Sequence, residues 1–145
     1  MIKVQNYVNG NFVSTEETIE DINPATGEII ANIPRSKPDD VQKAVLAADK
    51  AREYWSNLNL EDRRVWLEKI ADALESRAEE IAKLESLDTG KPIKLARAVD
   101  ASRSVANFRF FAEFSKDFVG EKFEMDDATN HVIYKPVGVA GLITP

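Results

Sequence analysis

The sequence predicts an α/β fold in which short strands come first, three long helices follow, and strands return at the end. Three observations lead to this prediction. Residues 5–34 alternate between short apolar stretches and turn residues, residues 36–119 repeat apolar side chains at helical spacing, and residues 137–143 are apolar without interruption. A composition of 43% hydrophobic and 30% charged residues is typical of a globular protein and excludes a disordered or collagen-like chain.

The first strands are predicted from turn signals. An Asn-Gly pair separates the two apolar stretches of residues 7–13, as is usual for a tight hairpin. Residues 18–22 alternate as a strand, residues 23–28 (Asn-Pro-Ala-Thr-Gly-Glu) form a turn, and residues 29–33 resume a strand.

The middle of the chain predicts three helices. The first follows Ser36-Lys37-Pro38-Asp39, which has the hydroxyl-to-acid spacing of a capping box and a proline in the first turn. The second begins at Asn59, keeps one apolar face over about six turns from Trp66, and ends at Gly90, which supplies a left-handed cap. The third spans residues 93–119 and carries five phenylalanines, so it should be covered on more than one side.

Strand patterns return after Gly120. Residues 121–125 and 131–135 predict two short strands around a polar turn. Residues 137–143 are apolar on both faces, which is typical of a strand inside a parallel sheet. Such a strand needs neighbours, and we expect the chain to be the front part of a longer α/β protein. The alternative is that a partner chain, or the first strands, cover this segment.

Composition excludes several classes of function. With a net charge of −6, the chain lacks the basic surface that nucleic acids require. It has no cysteine for a disulfide, a thiolate zinc site or a nucleophile, and its single histidine excludes a His-rich metal cluster. No apolar run is long enough to span a bilayer and no signal-peptide pattern is present, so we expect no membrane partner and a cytoplasmic location.

Four blocks of sequence resemble the amino-terminal part of aldehyde dehydrogenases. They are residues 7–12 (Tyr-Val-Asn-Gly-Asn-Phe), 22–28 (Ile-Asn-Pro-Ala-Thr-Gly-Glu), 87–92 (Leu-Asp-Thr-Gly-Lys-Pro) and 136–145 (Pro-Val-Gly-Val-Ala-Gly-Leu-Ile-Thr-Pro). The blocks keep the order and spacing of the family over essentially the whole chain. The resemblance therefore implies the aldehyde dehydrogenase fold.

The resemblance also implies a division of the chain. Residues 1–120 would be the amino-terminal part of the NAD(P)-binding domain, residues 121–136 oligomerisation strands, and residues 137–145 the first strand of the Rossmann-like dinucleotide-binding sheet. It implies a homo-oligomer, a dimer or tetramer, for the full-length enzyme.

Residues 101–112 (Ala-Ser-Arg-Ser-Val-Ala-Asn-Phe-Arg-Phe-Phe-Ala) look most similar to the branch that oxidises 2-hydroxymuconic and 2-aminomuconic semialdehydes. The resemblance implies an oxidoreductase that converts a carboxylate-bearing semialdehyde to its acid with NAD or NADP. In the family a cysteine thiolate attacks the aldehyde, hydride passes to nicotinamide, and a glutamate activates water. These 145 residues contain no cysteine and no Gly-x-Gly-x-x-Gly, so they include no catalytic residue and cannot run that reaction alone. The alternative is a stand-alone, non-catalytic helical module for binding or assembly.

Cofactor contacts fall at the end of the chain. By resemblance, Ile143, Thr144 and Pro145 line the cofactor cleft, at the carboxyl end of a strand where open α/β sheets hold nucleotides. Without the resemblance they are simply a strand end.

Arg103 is the candidate substrate-binding residue. A guanidinium binds a carboxylate through two parallel hydrogen bonds. Asn107 lies one helical turn beyond Arg103, and Phe110 and Phe114 extend the same stripe, which suits a flat, conjugated, anionic substrate. The alternative is an ordinary surface pair between Arg103 and Asp100.

Asp88 is the candidate cation ligand. It lies near the negative end of the second helix, where an acid is unfavourable and a bound cation would offset the cost. By resemblance, potassium or sodium would lie between Asp88 and backbone groups of Asp21 and Ile22. The alternative is an ordinary aspartate in a Thr-Gly turn.

Arg109, His131 and a cluster of glutamates are the other polar residues that we interpret. Arg109 is a second choice for the substrate, because it points about 240° around the helix from Arg103. His131 is interpreted as an alternating strand residue. The acidic cluster is interpreted as a solvated helix face and comprises Glu75, Glu79, Glu80 and Glu85.

Overall fold

The amino-terminal quarter of the protein forms strands. The computed structural model describes residues 1–144. The strands are β1 (Ile2–Lys3), β2 (Asn6–Val8), β3 (Asn11–Val13), β4 (Thr18–Ile22) and β5 (Ile29–Pro34). β5 lies in the middle of a three-stranded sheet, parallel to β1 and antiparallel to β4. The two-residue β1 was not predicted, because it is too short to show alternation.

The two predicted turns are confirmed. β2 and β3 form the expected hairpin, and Asn9 (φ 50°) and Gly10 (φ 78°) adopt the left-handed conformation that its tight turn requires. In the turn between β4 and β5, the buried Asn23 accepts a backbone hydrogen bond from Gly27 N–H at 2.8 Å, and its own N–H donates to the Glu28 carbonyl at 2.9 Å. This turn is therefore fixed by its own backbone.

The central part of the chain is helical. The helices are α1 (Pro38–Asn57), α2 (Leu60–Ser76), α3 (Ala78–Thr89), α4 (Ile93–Leu95) and α5 (Ser102–Phe114), with a π-helical turn (Ala96–Ala101) between the last two. Asn59 caps α2 as predicted, its side chain accepting from Asp62 N–H at 2.8 Å. The predicted cap of α1 is one residue early, because Lys37 is the cap and its N–H donates to Asp40 at 3.0 Å.

The prediction of three long helices is wrong at two places. The second predicted helix breaks at Arg77 (φ −114°, ψ 15°), so that α2 packs on α5 while α3 packs on the π-helical turn. The spacing of apolar residues does not reveal this break, because α2 and α3 bury residues on the same face of the predicted helix. The third predicted helix contains the π-helical turn and ends at Phe114 instead of residue 119. Gly90 (φ 70°) ends α3 in the predicted left-handed cap.

Small residues form the helical core. Its buried members are Ala71, Ala82, Ala96, Ala101, Val105 and Ala112. Alanines let the helix backbones approach closely, but they bury little area, and many large apolar side chains remain on the surface. None of the helices in residues 1–144 has the length and apolar character needed to cross a membrane.

The carboxyl-terminal part forms one hairpin, β6 (Lys122–Glu124) with β7 (Thr129–His131). The strand predicted at residues 131–135 corresponds to β7, which begins two residues earlier and contains only His131 of the predicted range. Gly120 lies so close to this hairpin that a Cβ there would be 2.0 Å from the Val132 carbonyl oxygen. Residues 137–143 are not a strand, because no segment within residues 1–144 pairs with them, and Val137 is 99% exposed.

Candidate functional site

A row of aromatic rings continues along the exposed side of α5 and past its end. Phe110 stacks on Phe114 with centroids 6.0 Å apart and planes 13° apart. Phe118 follows at 5.9 Å from Phe114, and Tyr134 lies 4.6 Å from Phe118. We call these four residues the aromatic row. It offers flat apolar surface to a planar partner.

Arg103 lies on α5 at the head of this row. Its side chain is exposed, and no carboxylate within residues 1–144 lies within 4.0 Å of it. The alternative pairing with Asp100 is not formed within residues 1–144; the Asp100 carboxylate instead accepts a hydrogen bond from Lys91 Nζ at 2.7 Å. Asn107 is also exposed, one turn further along the helix. A cation, an amide and aromatic faces thus follow one another along the surface of α5.

Arg109 occupies the opposite side of α5, where it binds α2. Its guanidinium donates to Glu68 at 3.0 Å, to Asp72 at 3.0 Å and to Glu75 at 2.6 Å. The hydrogen bonds that Arg109 donates to Glu75, and then to Asp72, raise the pKa of Arg109 above its usual value. Its choice as a substrate ligand is therefore wrong, since this arginine joins two helices.

The acidic cluster is largely a solvated helix face, as predicted, since Glu75, Glu79 and Glu80 are exposed, while Glu85 is half-buried. Each of its four glutamates pairs with a cation. The pairs are Glu75 with Arg109, Glu79 with Arg97, Glu80 with Arg77, and Glu85 with Lys91. Glu79 binds Arg97 through two hydrogen bonds of 2.7 and 2.6 Å, which lower the pKa of Glu79 to about 2. These pairs were missed because all four partners lie outside the helix that carries the acid.

The candidate cation ligand Asp88 lies at the end of α3, which contacts the turn after β4 through Gly90. Asp88 is exposed in the last turn of α3, and Gly90 just after it packs on Pro24, where a Cβ would lie 2.9 Å from Pro24 Cγ. Pro24 lies two residues after Ile22, the last residue of β4, and three residues after Asp21. The described residues hold no group of three or more His, Cys, Asp or Glu side chains suited to a metal ion. Oxygen ligands for a monovalent ion would therefore come from one carboxylate and backbone carbonyls.

The candidate cofactor residues lie at the end of the described chain. Ile143 is 99% exposed and Thr144 is also exposed, and neither belongs to a strand. Pro145 lies outside the described residues. These 145 residues contain no Gly-x-Gly-x-x-Gly phosphate loop.

A groove of about 790 Å³ separates the start of α2 from the β6–β7 hairpin. His131 lies in β7 opposite Lys122, consistent with its interpretation as a strand residue, and lines this groove together with Trp55 and Arg63. Arg63 donates to the Ser56 carbonyl at 3.1 Å, while its buried Nε has no partner within residues 1–144. The sequence carries no signal for this groove, because its walls are far apart along the chain.

Comparison with known proteins gives consistent matches. A model of the aldehyde dehydrogenase family matches residues 12–145. Human 2-aminomuconic semialdehyde dehydrogenase is 40% identical over all of this chain and 30% of its own length. The 2-hydroxymuconic semialdehyde dehydrogenase of Pseudomonas sp. (strain CF600) is 37% identical over all of this chain and 32% of its own length. The chain thus spans about a third of the curated relatives that it matches.

Solved structures agree with the sequence matches. An NAD+ complex of aldehyde dehydrogenase from Bacillus cereus has a TM-score of 0.83 and 33% identity, over 90% of this chain and 28% of its own. PnpE from Pseudomonas sp. WBC-3 has a TM-score of 0.81 and 37% identity, over 87% of this chain and 26% of its own. At these identities the chain shares its amino-acid sequence as well as its fold with the two proteins.

Proposed function

The chain belongs to the aldehyde dehydrogenase family, and we propose that it forms the amino-terminal part of an enzyme that oxidises a carboxylate-bearing semialdehyde to its acid with NAD or NADP. The observation that carries the substrate class is the exposed Arg103, without a carboxylate partner in residues 1–144, at the head of the aromatic row. The names of the relatives that cover the whole chain, the 2-aminomuconic and 2-hydroxymuconic semialdehyde dehydrogenases, support the same class.

Each residue of the α5 face has a distinct role in the proposal. Arg103 binds the substrate carboxylate through paired, charge-assisted hydrogen bonds. Asn107 offers an amide to polar groups of the substrate near its carboxylate. Phe110 and Phe114 lie along the conjugated chain of the substrate. A neutral aldehyde would gain from the aromatic contacts but not from Arg103.

The reacting groups lie outside these 145 residues, which contain no cysteine. The proposal therefore gives this chain binding and assembly roles. Ile143, Thr144 and Pro145 form one edge of the cofactor cleft, residues 121–136 take part in a homo-oligomer, and residues 137–145 join the dinucleotide-binding sheet. A cytoplasmic location stays a prediction.

Substitution of Arg103 tests the substrate class. In the full-length enzyme, Arg103→Ala should raise KM for a carboxylate-bearing semialdehyde roughly tenfold or more, because the charged hydrogen bonds are lost. KM for a neutral aldehyde of similar length should stay unchanged. Arg35→Ala, which removes an exposed arginine 3.9 Å from Glu17, is the matched control and should change neither value. An equal rise for both aldehydes would rule out the assignment of Arg103.

We also propose a monovalent cation, potassium or sodium, at the corner formed by Asp88, Asp21 and Ile22. The contact of Gly90 with Pro24 supports it, because this contact holds the end of α3 against the turn that follows β4. Potassium chloride should raise the melting temperature of the wild type more than choline chloride does, and Asp88→Ala should abolish the difference. An unchanged difference in Asp88→Ala would remove the proposed site.

A further inference from the structure

We propose that Lys91 is a positioning residue that holds Asp100 away from Arg103 and so keeps Arg103 free to bind the substrate carboxylate. This inference rests on the proposed function. Lys91 itself would touch neither substrate nor cofactor. Its effect passes through Asp100.

Asp100 is the natural competitor for Arg103. Residues three or four positions apart on a helix are surface neighbours, so an acid and an arginine at that spacing are close enough to pair. The four positions at this spacing from Arg103 hold Val99, Asp100, Ala106 and Asn107. Asp100 is therefore the one carboxylate at helical spacing from Arg103, yet the two do not form an ion pair.

Lys91 accounts for the missing pair. Its Nζ lies 2.7 Å from Asp100 Oδ2 and 3.1 Å from Glu85 Oε1, and all three side chains are about two-thirds buried. Asp100 lies in the π-helical turn and Glu85 in α3, so the ammonium joins the two elements that pack together. These hydrogen bonds, to Asp100 first and to Glu85 second, raise the pKa of Lys91, which keeps it charged.

The backbone fixes Lys91 in this place. Lys91 follows the left-handed Gly90, and its carbonyl accepts a hydrogen bond from Ser86 Oγ at 2.6 Å. Its side chain therefore leaves the end of α3 from a rigid position. Without the ammonium, Glu85 and Asp100 would face each other as two like charges, and repulsion would push Asp100 toward Arg103.

Lys91→Met tests the inference in the full-length enzyme. We expect KM for a carboxylate-bearing semialdehyde to rise roughly two- to fivefold, the effect of an exposed ion pair that competes with the substrate. The kcat value and the KM for a neutral aldehyde should not change. Lys91→Arg should behave like the wild type, and Lys91→Gln should give a smaller rise of the same selectivity if the Met variant fails to fold.

The decisive comparison adds Asp100→Asn to Lys91→Met. The double variant should return KM to the wild-type value, because the competing charge is gone although the ion pair is still broken. A double variant as impaired as Lys91→Met, or an equal loss for both aldehydes, would reduce Lys91 to a structural role.

Arg103→Ala in parallel separates the two proposals. If it does not affect the preference for a carboxylate, the proposed function fails. If it abolishes the preference while Lys91→Met changes nothing, only the role of Lys91 fails.

Discussion

Two arginines six positions apart on α5 have opposite surroundings. Arg109 is held by three carboxylates of α2, whereas Arg103 points to solvent at the head of the aromatic row. Helical geometry predicted that the two would point to different sides. It could not predict their partners, because the acids that bind Arg109 lie 34 to 41 residues away in sequence. The same limit explains why the contact of Lys91 with Asp100, across two elements, was not predicted.

The ion pair between Glu79 and Arg97 makes a prediction about pH. Because Arg97 lowers the pKa of Glu79 from 4.5 to about 2, the pair stabilises the fold above pH 4.5, and the stabilisation is lost as the pH falls toward 2. Arg97→Met should therefore lower the melting temperature near neutral pH, and its deficit should disappear close to pH 2. Thermal unfolding of both proteins across this range measures the difference.

Arg52→Met is the matched control for this experiment. Arg52 pairs with Asp49 within α1, so its loss does not disconnect two elements, and its deficit should be smaller. A deficit of Arg97→Met that stays constant from neutral pH to pH 2 would contradict the role of Glu79.

At the scale of elements, local signals predicted well and long-range packing did not. The Asn-Gly hairpin, the Asn59 cap and the left-handed Gly90 each depend on a few neighbouring residues, and all three are confirmed. The break at Arg77 and the π-helical turn depend on how α3 packs against the next helical segment. Apolar spacing alone cannot report such a change of direction.

Two glycines with left-handed backbones allow a matched test of the contact between α3 and the turn after β4. Gly90 (φ 70°) packs on Pro24, whereas a Cβ at Gly27 (φ 75°) would meet nothing within 4 Å. Alanine at either position should cost about 1–2 kcal/mol of backbone strain. Gly90→Ala should lower the melting temperature further, because its Cβ also meets the proline.

Pro24→Ala should then restore part of the stability of Gly90→Ala and none of that of Gly27→Ala. Equal melting temperatures for the two glycine variants, or no recovery with Pro24→Ala, would mean that Gly90 does not pack on Pro24.

For the whole molecule, the small core and the large apolar surface belong together. Alanines fill the helical interior, while Phe110 is 61% exposed and Ile143 is 99% exposed. Exposed apolar surface of this extent is typical of binding sites for a ligand or for other protein. The sequence predicted the α/β class and the family correctly. It placed a strand at residues 137–143 that this chain does not form, since a strand exists only beside a hydrogen-bonded neighbour.

The reduction of NAD or NADP by the protein produced from the native gene tests the central claim most directly. With each cofactor supplied in turn and a carboxylate-bearing muconic-type semialdehyde, we expect steady production of NADH or NADPH, and a kcat/KM well above that for a neutral aldehyde of similar length. No reduction of either cofactor with either aldehyde, or a preference for the neutral aldehyde, would contradict the proposed function.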